Sequence, residues 1–157
     1  MTDATDNADV RFPPPFIYLI ALVLGIFAGR ALRLPQSGIA SSVRMFIAAT
    51  FALGGVFVIL LGARLFLRHG TAVIPHKPAS RLVTTGVYGF TRNPMYLGMA
   101  LLYFAFVITF DSLLALVLLP VVLIVIQTQV IAKEEAYLRR KFGDEYLAYK
   151  TRVRRWL

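Results

Sequence analysis

Residues 94–132, PMYLGMALLYFAFVITFDSLLALVLLPVVLIVIQTQVIA, carry one charged side chain in their whole length, Asp111. The run does not alternate with period two as a strand would. It is also too long for a single membrane crossing, because at 1.5 Å per residue about 20 residues traverse a hydrocarbon core of roughly 30 Å. Asp111 and Ser112 stand near its middle. The stretch is expected to form two apolar helices, 94–110 and 112–132, joined as a tight hairpin at Asp111, with Pro120 kinking the second.

Outward from this hairpin lie two more apolar runs of helical length: 45–67, broken only by Arg64, and 16–34, which carries Arg30 and Arg33. The fold class that follows is all-α: an integral membrane helical bundle of four transmembrane helices, completed by a cytoplasmic amphipathic helical segment over 133–157. Residues 1–15 contain Asp3, Asp6 and Asp9 and end in Pro13-Pro14-Pro15. They read as a disordered tail rather than a cleavable signal, with 16–157 forming a single domain.

Composition agrees with a lipid solvent. Of the 157 residues 58% are apolar and 16% charged, with a mean hydropathy of +0.70, against roughly 45–50% and about 25% in an average soluble domain. There is no Cys, which removes thiolate nucleophiles, Cys-ligated zinc and iron–sulfur clusters, and no metal site is expected. The net charge of +9 comes from bases that flank the apolar runs. That placement suits anionic headgroups and membrane topology rather than a nucleic-acid partner. Four spans put thirteen bases on the side of the termini and the 68–93 loop and three on the other; by the positive-inside rule both termini are expected in the cytoplasm, the bacterial inner membrane being the expected location. The spans hold no Asp, Glu, Lys or His, which disfavours ion-coupled transport. Gly25 and Gly29 form a small-xxx-small pair suited to close helix packing.

The polar chemistry is therefore expected where helices leave the membrane. The 68–93 connection, with His76 and four bases but no acid, is long for a compact bundle. At its end Asn93 suits an N-cap and Pro94 the first helical position. The first-turn amides of that helix, next to Arg92, make either an anion site or an ordinary cap with an interfacial arginine. Beyond the fourth span, Glu134 and Glu135 are adjacent acids one turn past the membrane. Glu135 and Arg139 have the i,i+4 spacing of a solvated ion pair. Gly143 offers a helix stop and Asp144 a new cap. After them Tyr146, Leu147, Tyr149, Val153 and Trp156 form an amphipathic stripe that lies on the membrane surface or folds over the bundle. Folded back, it would bring the Glu pair and the Arg92–Asn93 helix start under one lid.

Gly86-Val87-Tyr88, Thr91-Arg92-Asn93-Pro94-Met95-Tyr96-Leu97-Gly98 and Glu134-Glu135, followed by Leu138, Phe142-Gly143, Tyr146 and Tyr149, closely resemble the isoprenylcysteine carboxyl methyltransferase and phospholipid methyltransferase superfamily. The likeness runs from about residue 74 to 157. It implies an integral membrane enzyme that uses S-adenosylmethionine, bound between the cytoplasmic helix ends and the C-terminal segment, and acts on a lipophilic small-molecule or lipid substrate, prenylcysteine carboxylate-like or phospholipid amine-like. It also implies Arg92, Glu134 and Glu135 as catalytic residues and a cofactor site drawn from His76, Gly86, Tyr88, Asn93, Pro94, Tyr96, Gly98 and Glu134. Asn93 stands where the prenylcysteine enzymes have His, as in phospholipid methyltransferases. The roles suit the cofactor: a sulfonium is drawn to a carboxylate and to aromatic faces such as Tyr88 or Tyr96, the cofactor's own carboxylate to Arg92, and an amine acceptor needs a base, Glu134 or Glu135. Gly98 is expected to leave a gap through which the acceptor's chain enters from the bilayer. Two other readings compete with this one: a non-catalytic four-helix protein that binds anionic lipid through its basic tail, and a reductase on the sterol-reductase bundle, for which the chain is short. Adjacent acids among eight tail bases speak against the lipid-binding tail.

Overall fold

The computed structural model describes residues 8, 10, 12–70 and 79–157; His76 and Lys77 lie outside them. The described chain is all helical: α1 (Pro14–Ala31), α2 (Ser41–Arg68), a short 3₁₀ turn (Gly86–Gly89), α3 (Pro94–Phe110), α4 (Leu113–Val125), a π-helical turn (Ile126–Ile131) and α5 (Ala132–Arg152). Helices α1 and α2 and the continuous α4–α5 rod are each long and apolar enough to cross a membrane, and α3 is a shorter apolar helix. The outward faces carry Phe27, Phe46, Leu53, Phe57 and Ile124, all exposed. A surface of this kind is costly in water and natural in lipid. The protein is a membrane helical bundle, as its sequence suggests.

The hairpin forms where expected. Asp111 adopts a left-handed conformation (φ 51°) and ends α3, and the Ser112 hydroxyl caps α4 by accepting from the Ala115 amide at 3.3 Å. Asp111 is also a fastener, accepting from the Ser37 amide at 3.2 Å and pairing with Arg44 at 3.1 Å, so both loops at this end of the bundle are tied together. The helix runs through Pro120, and the change of winding falls six residues later, at the π turn, rather than at the proline.

Glycines bring the helices together. A methyl on Gly25 would lie 2.6 Å from the Ala115 Cα, so α1 and α4 touch backbone to backbone at the small-residue pair. Between α2 and α3 the contact is closer than the sequence suggests. A methyl on Gly98 would lie 2.6 Å from Ile59 Cγ1 and 2.8 Å from the Gly55 carbonyl oxygen. Gly98 therefore leaves no gap for an acceptor chain: α2 fills it, and tight crossing is what this glycine permits.

The tail also departs from expectation. Ala8 and Val10 are buried against the bundle, in the same apolar cluster as Tyr18, Tyr96 and Tyr137, so this part of the 1–15 segment is packed rather than loose. At the other end of the chain Gly143 breaks α5 with φ 52° and ψ −123°. The break turns the second half of α5 back, where Tyr146, Tyr149 and Val153 pack on Leu82, Leu138 and Phe142.

Candidate active site

The site forms where α3 begins and the fourth span ends. Proline at position 94 starts α3, and the Asn93 carbonyl accepts the Leu97 amide at 3.0 Å. The Asn93 side chain makes no cap bond; it donates instead to the Arg155 carbonyl at 2.8 Å. Facing this turn, the π winding hands over to α5 and places two carboxylates in different surroundings. Glu134 Oε1 accepts from the Tyr96 hydroxyl at 2.6 Å. Glu135 accepts from Arg92 Nη2 at 3.0 Å and from the fork of Arg155, Nε at 3.0 Å and Nη2 at 2.7 Å. The expected surface pair of Glu135 with Arg139 is not what forms, because Gly143 folds the chain back and brings Arg155 to Glu135 from 20 residues away.

Between these groups lies a cavity of about 120 Å³, partly open to solvent. Tyr88, Tyr96, Tyr137, Tyr146 and Tyr149 line it together with Arg92, Asn93, Pro94 and both glutamates, and Phe66 and Met95 reach it from α2 and α3. Ala8 forms part of the wall. The Tyr149 hydroxyl donates to the Tyr88 carbonyl at 2.7 Å, holding the back half of α5 on the 3₁₀ turn. Of the four buried side-chain polar atoms without a hydrogen-bond partner among the described residues, three belong to residues lining this cavity, the Tyr88 and Tyr146 hydroxyls and Arg92 Nε, and the fourth is Arg44 Nε. Buried polar groups are nearly always satisfied, so an orphaned set around one cavity marks where a polar ligand belongs.

The charges here are unevenly matched. Arg92 is engaged by Glu135 and is not the free cation that an anion site at the start of α3 requires. Glu134, beyond the fourth span, has no cation bonded to it among the described residues. Burial pushes its carboxyl up to about 7; the Tyr96 donor opposes the rise and the charge of Glu135 adds to it. A carboxyl poised there is suited to exchange a proton near neutrality.

Of the residues singled out from sequence, Arg92, Asn93, Pro94, Tyr96, Tyr88, Glu134 and Glu135 surround one cavity. Gly86 and Gly98 do not line it: Gly86 supplies the positive φ (60°) that opens the 3₁₀ turn, and Gly98 packs on α2. His76 falls outside the described residues. Arg155 escaped the sequence reading. The one signal for it was that two adjacent acids, once buried, need more positive charge than Arg92 carries, and nothing in the spacing separates Arg155 from the seven other bases of the tail.

The family model for phospholipid methyltransferases matches residues 43–145, which takes in Arg92–Gly98 and both glutamates and stops short of Arg155. An uncharacterized protein of Haemophilus influenzae is 44% identical over 63 residues, 40% of this chain and 100% of that one. The protein-S-isoprenylcysteine O-methyltransferase of Schizosaccharomyces pombe is 35% identical over 72 residues, 46% of this chain and 30% of that enzyme. No solved structure matches. With about two thirds of its length covered by the family model, including most of the residues that line the tyrosine-rich cavity, the chain belongs to the phospholipid methyltransferase family, membrane methyltransferases within the superfamily that also holds the isoprenylcysteine enzymes.

Proposed function

We propose that the chain is an S-adenosylmethionine-dependent methyltransferase that methylates a lipophilic acceptor where its apolar helices leave the membrane. The observation that carries the reading is Glu134, a carboxylate held by Tyr96 in the wall of a tyrosine-lined cavity with no cation bonded to it among the described residues. A sulfonium is a permanent cation, and a desolvated carboxylate surrounded by aromatic faces is the setting that attracts one. The orphaned Tyr88 and Tyr146 hydroxyls and Arg92 Nε match the polar groups at the cofactor's two ends. When bound, S-adenosylmethionine supplies a methyl group on an electron-poor sulfur, open to in-line displacement.

The chain's own part is alignment, exclusion of water and handling of one proton. Buried Tyr137 and Tyr149 shield part of the site from water, and holding donor and acceptor in line contributes much of the rate. An amine attacks only when neutral and sheds a proton afterwards, and Glu134 is placed to take it. An amine fits better than a carboxylate, which would stand against Glu134 while Arg92 is paired to Glu135. Phe66 and Met95 in the wall favour arrival of the acceptor from the bilayer, with the cofactor entering from the cytosol on the side rich in bases. Burial of the Glu pair in the first turn of α5, with Glu135 paired to Arg92 and Arg155, counts against a purely lipid-binding tail.

Calorimetric titration of the purified protein with S-adenosylmethionine tests the reading, followed by transfer of labelled methyl groups to a membrane lipid extract. Binding that strengthens as pH rises through about 7, as the Glu134 carboxylate ionises, and that is lost in Glu134→Gln is expected. Absence of binding by the wild-type protein across that range overturns the reading; labelling of soluble amines alone removes the lipophilic acceptor.

A further inference from the structure

We infer that Arg155, outside the segment that matches the family model, is a positioning residue of this site: its side chain holds Glu135, and through it Arg92, while its carbonyl holds the turn from which α3 starts. This rests on the cofactor reading given above.

Helix α5 ends at Arg152 and Val153 is extended (φ −121°, ψ 131°), so the residues after it run free of any helix and lie along the 91–93 turn. The Arg92 amide donates to the Arg154 carbonyl at 3.0 Å. The Thr91 hydroxyl and the Asn93 amide group both donate to the Arg155 carbonyl, at 3.1 and 2.8 Å. One residue further on, the Trp156 indole donates to Gln127 of the π turn at 3.0 Å. Residues 154–156 thus fasten the entrance of α3 to the end of the fourth span. The Arg155 fork meets both oxygens of Glu135, leaving that carboxylate one orientation in which it can also reach Arg92. Bidentate pairing of this kind fixes geometry as well as charge.

The fork acts on Glu134 too. The groups that face Glu134 are Tyr96 from α3, Tyr88 from the 3₁₀ turn, and Glu135 and Tyr146 from α5, with Arg92 and Arg155 behind Glu135. A Glu135 charge left unneutralised raises the proton affinity of its neighbour. Loss of Arg155 therefore moves the ionisation of Glu134 to higher pH, which loosened packing alone would not do.

The test uses the full chain with Arg155→Ala and Arg155→Lys. Both keep the main-chain bonds to Thr91 and Asn93. In the unliganded protein, Arg155→Ala is expected to speed amide exchange over 91–97. It should also weaken S-adenosylmethionine binding about tenfold, the scale of one lost charged hydrogen bond, and move the midpoint of its pH dependence upward. Arg155→Lys, which restores charge without the fork, should return the midpoint and leave part of the affinity loss. If Arg155→Ala cannot be extracted folded, Arg155→Gln gives the same comparison. Unchanged exchange and affinity overturn the inference, and so does faster exchange with wild-type affinity and midpoint, which makes Arg155 a stabilising contact only. If the wild-type protein binds no S-adenosylmethionine, the cofactor reading fails, and the exchange arm alone decides whether Arg155 holds the entrance of α3.

Discussion

Replacing Glu135 with glutamine removes the one charge that two arginines share, and the structure sets the size of the effect. The Arg92 side chain is 8% exposed and that of Glu135 12%, whereas Arg155 is 32% exposed. Arg155 can turn to water when its partner is lost, so its share is small, within the 0–1 kcal/mol of an exposed pair. Arg92 cannot turn. A pair about 4 Å between charge centres at an effective dielectric near 20 is worth about 4 kcal/mol before desolvation, and stranding a buried charge costs about 3–5 kcal/mol. For a chain of this size that corresponds to a fall in melting temperature on the order of 10 °C. The single Trp156, bonded beside the network, allows unfolding in detergent to be followed by its fluorescence. If the cost lies in Arg92 losing its partner, Glu135→Gln combined with Arg92→Met should recover most of the loss, giving a coupling of at least about 2 kcal/mol. A fall of a degree or two, or additive single effects, would refute the view that Glu135 serves mainly to neutralise Arg92.

The remaining predictions concern the other carboxylate and the helix contacts. Burial holds the Glu134 carboxyl protonated up to about 7 in the folded chain, against 4.5 for a free glutamate side chain, so between these values the unfolded state releases its proton first and stability falls as pH rises, by about 3 kcal/mol over the window; Glu134→Gln should abolish this part of the slope in pH-resolved melting, and an unchanged slope would assign it to other groups. Gly98→Leu forces Ile59 and the Gly55 carbonyl apart and should destabilise by 3 kcal/mol or more, beyond the roughly 1–3 kcal/mol of ordinary overpacking; a mutant of normal stability with altered acceptor preference would restore the gap originally expected there. Deleting the exposed Thr128 from the π turn should shift Trp156 emission and abolish cofactor binding while the spans still insert, and wild-type emission and binding would show that the π winding is incidental.

The hairpin was legible because it is set by local chemistry: one aspartate and one serine amid apolar residues can only be a turn that faces away from lipid. The start of α3 at Pro94 and the break at Gly143 were legible for the same reason, since proline and glycine act on their own backbone. What could not be read depends on partners brought from afar. Gly98 looked like a gap because only the fold shows Ile59 and Gly55 opposite it. Glu135 looked like a surface residue paired along its own helix, because the i,i+4 rule knows nothing of a chain that turns back at Gly143 to deliver Arg155. Ala8 and Val10 sit among acids and prolines that suggest solvent, and their burial follows from the apolar cluster of Tyr18, Tyr96 and Tyr137 that receives them.

The π turn has no sequence signature either, yet it accounts for the division of labour between the adjacent glutamates. A π turn closes its hydrogen bonds one residue later than an α turn. Everything beyond it is therefore rotated by about 100° relative to an uninterrupted α-helix, the angle of one residue at 3.6 per turn. The fourth span can thus keep Leu116, Val117, Val121 and Ile124 toward lipid while α5, on the same rod, presents Glu134 to Tyr96 and Glu135 to the arginines. Adjacent residues on a helix point about 100° apart, so only one of the two can face the cavity squarely and the other must face the wall. The residue in the cavity meets Tyr96 alone and keeps a high proton affinity; the residue in the wall meets two guanidinium groups. A carboxylate of raised proton affinity is the form suited to accept a proton from an ammonium, and a fully paired one is the form that can hold an arginine still. The same pair of letters in the sequence thus becomes a carboxyl of raised proton affinity and a brace for two arginines, because the helix carrying them was turned before it left the membrane.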